Sequence, residues 1–229
     1  MSKFGLAQRA VAEAVGTTLL LATVVGSGIM GEKLANGNVA IALLANTLAT
    51  GAGLVALIST FGPISGAHFN PVVTLADAVR GGTAWKDVPA YLVAQLAGAF
   101  AGVALAHVMF GHAVFAASTH ARGSGGEIAS EIVATFGLLA VIASVSRHRA
   151  EAAPYAVGAY ITAAYWFTAS TSFANPAVTI ARAATDTFAG IRPADVPAFV
   201  AAQLGGAALA TALFRWLVPP VPPRSSESS

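Results

Sequence analysis

Ser65-Gly66-Ala67-His68-Phe69-Asn70-Pro71-Val72-Val73-Thr74 and Ser170-Thr171-Ser172-Phe173-Ala174-Asn175-Pro176-Ala177-Val178-Thr179 are two versions of one phrase, placed similarly in the two halves of the chain. Asn is a strong helix N-cap, and Pro is well tolerated as the first helical residue. Each Asn-Pro therefore reads as a helix start. Each also lies inside a long uncharged stretch. A helix that starts there puts the positive end of its dipole and one carboxamide at bilayer depth. That arrangement is costly unless it lines a water-filled path.

The surrounding composition belongs to an integral membrane protein. Of 229 residues, 56% are hydrophobic and 10% charged, against roughly 25% charged in a soluble domain. No Asp, Glu, Lys or Arg occurs between Lys33 and Asp77, Asp87 and Arg122, Glu131 and Arg147, Glu151 and Arg182, or Asp195 and Arg215. A spanning helix needs about 20 apolar residues. The Lys33–Asp77 and Glu151–Arg182 runs are too long for one span and too short for two. Each fits one full span plus a half-span, and each contains one of the two motifs.

Six spans are expected near 10–31, 37–60, 88–110, 127–147, 153–171 and 195–217, with half-helices starting at Asn70 and Asn175. Pro63 and Gly66 are expected to break the chain before the first half-helix, and the run Ser170 to Ser172 before the second. Gly81-Gly82 and Gly190 with Pro193 are read as their ends. The fold class is thus an all-α membrane protein of six transmembrane helices plus two re-entrant half-helices. One channel domain covers 1–220, with repeats near 1–111 and 127–218, and 221–229 reads as a disordered tail. With both termini cytoplasmic, Lys3, Arg9, Arg80, Lys86, Arg147, Arg149, Arg215 and Arg224 fall inside and Lys33, Arg122, Arg182 and Arg192 outside. That excess of basic residues inside favours this orientation. The first apolar run, Ala10 to Met30, reads as a span and not as a cleaved signal. Short loops without targeting segments suit a bacterial inner membrane.

The halves match at further points. Glu13-Ala14-Val15 parallels Glu131-Ile132-Val133, and Ala94-Gln95-Leu96-Ala97-Gly98 parallels Ala202-Gln203-Leu204-Gly205-Gly206. Three spans per half is an odd number, so the halves insert in opposite orientations and meet near the midplane. The two half-helices then enter from opposite faces and touch at their N-termini. Asn70 and Asn175 offer amide donors to a lumen, and the preceding carbonyls, Ser65 to Phe69 and Ser170 to Ala174, act as acceptors. The paired dipoles oppose cations and hydronium.

On these residues the chain resembles the major intrinsic protein family, the aquaporins and aquaglyceroporins. Ser65 to Val72 is similar to the family's first signature, with Val72 in place of the usual Ala. Asn175-Pro176-Ala177 is similar to the second. The resemblance covers nearly the whole chain, paired Glu included. It implies the aquaporin fold, one pore per subunit and a homotetramer.

One departure bears on selectivity. An Arg directly follows the second motif in most of the family, lines the outer constriction and repels cations; here that position is Val178. The resemblance places Thr50 and Ser172 at two other constriction positions. The fourth falls on Ala163, Ala164 or Tyr165, because the alignment slips in span 5. None of these is the His of a water-selective pore, so the expected filter carries no fixed charge and opens wider. Arg182 is one turn further along its half-helix and is expected to pair with Asp186; no filter role is transferred to it.

Glu13 and Glu131 read as structural carboxylates that hold the re-entrant backbone, in preference to a proton relay. His68 reads as a residue near the pore loop. His107, His112, His120 and His148 show no metal-ligand spacing, and Gly98 with Gly102 reads as a close helix crossing. The expected activity is passive conduction of water and small neutral solutes, such as glycerol-like polyols or undissociated metalloid or arsenical hydroxides. The alternatives are a water-selective channel with an unusual filter and, behind it, a secondary transporter. No enzyme site is evident within the spans. No cofactor, no metal and no nucleic-acid partner are expected; the partners are the lipid bilayer and further copies of the chain.

Overall fold

A computed structural model describes residues 3–218. The tail expected at 221–229 lies outside the described residues. Eight α-helices follow in order: α1 Leu6–Leu34, α2 Val39–Ser65, α3 Pro71–Val79, α4 Val88–Phe110, α5 Gly125–His148, α6 Ala153–Phe167, α7 Pro176–Arg182 and α8 Val196–Leu217. Five of them (α1, α2, α4, α5 and α8) are long and apolar enough to cross a membrane. The remaining crossing belongs to α6, which has 15 residues and is preceded by a 3-10 turn at Ala150–Ala152. Both ends of the described chain therefore lie on one face, called here the near face.

The packing repeats between halves. α1 packs on α2 and α4, as α5 packs on α6 and α8, while the short helices α3 and α7 each rest on both α4 and α8. Glycine makes the tightest crossings possible. A Cβ on Gly98 would collide with the Ala14 carbonyl of α1, and one on Gly206 would collide with the Ile132 carbonyl of α5. Gly102 meets the Thr18 carbonyl in the same way. Gly205 instead has open space around it, so only one glycine of that pair serves the crossing.

Several expected boundaries shift. Pro63 does not break the chain: it lies inside α2. The carbonyl it leaves without a partner, that of Ser59, belongs to an exposed residue near the helix end, so the loss is tolerated. The helix stops instead at Gly66, whose φ of 94° is a left-handed cap. The first half-helix ends at Val79, just before Gly81. The second ends at Arg182, well before Gly190 and Pro193. Residues 183–192 form a connecting loop, fastened by Ile191 N–H to the Arg182 carbonyl at 3.3 Å.

Candidate pore and its lining

Asn70 and Asn175 cap α3 and α7 from extended backbone, with φ of −156° and −158°. The Asn70 Oδ1 accepts from Val72 N at 3.1 Å, and the Asn175 Oδ1 accepts from Ala177 N at 3.0 Å and Val178 N at 3.3 Å. Pro71 and Pro176 occupy the first helical positions. The carboxamide nitrogens are exchanged between repeats. Asn70 Nδ2 donates to the Ala174 carbonyl, and Asn175 Nδ2 donates to the Phe69 carbonyl, both at 2.8 Å. A carboxamide has two N–H groups. One closes this clasp and the other is left for the lumen. The sequence reading aimed both amides at the pore and missed the clasp, because a bond between loops so distant in the chain has no local signature.

The loops before the motifs carry strained backbone. Ala67, Phe69, Thr171, Ser172 and Ala174 all have positive φ, between 48° and 60°, at a cost of about 1–3 kcal/mol for each such residue. Two buried carboxylates hold them. Glu13 Oε1 accepts from Ser65 Oγ at 2.6 Å and His68 N at 2.9 Å; its Oε2 accepts from Phe69 N at 2.7 Å and Gln95 Nε2 at 2.8 Å. Glu131 accepts in the same pattern from Ser170 Oγ, Phe173 N, Ala174 N and Gln203 Nε2 at 2.6–2.9 Å. Both are fully buried and neither lines the lumen. Gln95 and Gln203 also bond Thr74 and Thr179 of the half-helices, so each carboxylate ties a loop, a half-helix and two spans together.

A cavity of about 640 Å³ runs through the chain. At the near end its lining includes Arg9, Arg80, Arg147, His68 and Asp77; midway it includes Asn70 and Asn175; at the far end it includes Thr50, Tyr165, Ser172, Val178 and Arg182. Thr50 Oγ1 lies 3.3 Å from Tyr165 Oη. Of the three span 5 candidates only Tyr165 reaches the lumen. Ala163 is exposed on the outside of α6, and Ala164 is buried in packing away from the cavity. Val72 and Ala177 are buried beside their Asn caps and do not line it. His68 lines the near half, with Nδ1 at 3.1 Å from Thr74 Oγ1 and Nε2 at 3.7 Å from Asp77 Oδ2.

The far mouth is framed by Arg122 and His107, to which the sequence reading gave no role at the pore. Arg122 is buried and donates from Nε to the Gly190 carbonyl at 2.8 Å and from its terminal nitrogens to the Ser170 and Phe188 carbonyls at 3.3 and 3.5 Å. His107, also buried, meets Thr185 Oγ1 at 2.7 Å through Nε2 and accepts Phe115 N–H at 3.3 Å. Asp186 does not pair with Arg182. It accepts the Thr119 N–H at 2.8 Å and the Thr119 hydroxyl at 3.0 Å, which hold its carboxyl below the usual range. The i,i+4 spacing that suggested the pair fails because α7 ends at Arg182, so Asp186 is no longer on that helix. His120 is held below the ordinary histidine value by burial, and then by the positive charge of Arg122 and Arg182.

An inverted pair of three-span repeats, with two half-helices meeting at exchanged Asn clasps along one lumen, defines a transmembrane channel and not an enzyme. The model of the major intrinsic protein family matches residues 1–172, most of the chain, and the chain belongs to that family. It is 55% identical over 229 residues to the aquaglyceroporin AqpS of Rhizobium meliloti (strain 1021), spanning 100% of this chain and 98% of that one. It is 35% identical over 181 residues to the aquaporin NIP1-3 of Oryza sativa subsp. japonica, which covers 76% of this chain and 62% of the plant protein. In three dimensions it matches the X-ray structure of the aquaglyceroporin from Plasmodium falciparum with a TM-score of 0.72 over 94% of this chain and 98% of the other, at 20% identity. That likeness is one of fold. As a member of this channel family, the chain passes water and small neutral solutes.

Proposed function

We propose that the chain conducts glycerol-like polyols or undissociated metalloid and arsenical hydroxides beside water. The group Thr50, Tyr165, Ser172 and Val178 sets the size limit. The observation that carries this reading is Val178 in the lumen lining, on the first turn of α7. A short aliphatic side chain there neither fills the lumen as a guanidinium would nor requires a solute to replace its hydration with fixed donors. Thr50, Ser172 and Tyr165 bring hydroxyls that can serve a solute carrying hydroxyls of its own. The resemblance in sequence to an aquaglyceroporin over the full chain supports the wider pore. We place both termini in the cytoplasm of an inner membrane, so that the far mouth is external, and the working form is a homotetramer with one lumen per subunit.

Stopped-flow light scattering on reconstituted vesicles tests the reading, with water, glycerol, urea and an uncharged metalloid hydroxide compared in one preparation. Glycerol and metalloid hydroxide flux should follow the gradient without saturating and survive ionophores. Val178→Arg should lower glycerol flux about tenfold while water flux persists. Unchanged solute flux in that variant, with water flux retained, removes Val178 from control of selectivity.

A further inference from the structure

Arg182 is the seventh residue of α7 and the last, one helical turn beyond Val178 and on the same side of the helix. Only 2% of it is accessible, yet it lines the lumen. Its Nε donates to the Ala189 carbonyl, and its guanidinium lies 3.4 Å from the centroid of the Phe173 ring. Among the described residues its terminal nitrogens meet no protein acceptor and no carboxylate pairs with it. Asp186, the nearest acid in sequence, is committed to Thr119. Arg122 approaches the same Phe173 ring at 5.1 Å. It differs in that its nitrogens are occupied by loop carbonyls and it does not line the cavity.

We propose that Arg182 is the cation barrier of the far mouth, displaced one helical turn outward from the position held by Val178. This rests on the channel reading above and adds a division of labour to it: the neutral group around Val178 limits size, and Arg182 limits charge. A buried guanidinium with no counter-ion raises the energy of any cation that shares the narrow lumen between its low-dielectric walls. Phe173 supports it from below through its π face. The near mouth carries no such group at the matching place. There the first repeat puts Asp77 where the second has Arg182, and His68 where the second has Phe173.

The test separates charge from structure with three variants in proteoliposomes. Arg182→Met keeps a long stem over Phe173, Arg182→Gln keeps a donor for the Ala189 carbonyl, and Arg182→Lys keeps the charge. Methylammonium influx and proton leak read the barrier; water and glycerol flux read the channel itself. The neutral variants should leak methylammonium about tenfold or more above the native protein, with water and glycerol rates within about twofold, and Arg182→Lys should stay near the native leak. A neutral variant that conducts water without the added leak overturns the proposal. So does a leak of equal size in Arg182→Lys, since the loss is then structural. Failure of the native protein to pass glycerol is a separate result and strikes the channel reading instead.

Discussion

At the scale of single residues, the buried carboxylates show how a charged group can be structural at membrane depth. Glu131 accepts four hydrogen bonds from a hydroxyl, two backbone amides and one carboxamide. Each donor left without an acceptor in a buried site costs about 1–3 kcal/mol. Glu131→Gln turns one acceptor oxygen into a carboxamide NH2, a donor that faces donors, so it should be nearly as damaging as Glu131→Ala. Both should lower the thermal aggregation midpoint in detergent and abolish water flux. A proton relay predicts otherwise: a glutamine variant that folds and conducts water normally would remove the structural assignment. Among the lining residues, Thr50 and Tyr165 are joined by their hydroxyls. Tyr165→Phe should therefore slow glycerol more than water, measured as the ratio of the two fluxes.

Between helices, glycine contacts decide how closely the repeats close. Gly206→Ala drives a methyl group into the Ile132 carbonyl and should cost about 1–3 kcal/mol as overpacking, read as a lower melting midpoint. Gly205→Ala meets nothing within 4 Å; it should be neutral or gain up to about 1 kcal/mol from helix propensity. The loop before α5 is held to the loop after α7 by Asp186 and Thr119. The Asp186 carboxyl is held low, so this clasp is complete above the ordinary carboxylate range and is lost as pH falls through the lowered value. Faster hydrogen exchange at the Thr119 amide below that range is the expected sign. Elements of this kind were legible to different degrees. The span Val88–Phe110 could be read to the residue, because Asp87 and Gly111 bound a run without Asp, Glu, Lys or Arg. The half-helix starts were equally plain, because Asn-Pro is a local capping signal. The end of α7 was not. Gly190 and Pro193 looked like the stop, whereas the helix ends at Arg182, where the chain turns to pack the Arg182–Ala189 and Arg122–Gly190 bonds. Those are long-range contacts, and no spacing rule encodes them. The choice among Ala163, Ala164 and Tyr165 had the same origin: which side of α6 faces the lumen depends on its partners α2 and α5.

Across the whole molecule, the clasp of Asn70 on the Ala174 carbonyl and Asn175 on the Phe69 carbonyl means that neither repeat finishes its own half of the lumen. A polypeptide ending in the loop after α4 would present a left-handed loop whose Phe69 carbonyl has lost its donor and an Asn70 amide with nothing to grip. Two separately expressed halves should accordingly be degraded when made singly and rescue one another when made together. The same reciprocity governs how such a protein can diverge. A change that displaces one loop is felt at once by the other, so substitutions at the meeting point of the two repeats are tolerated only in step, whereas those on their lipid-facing surfaces are independent.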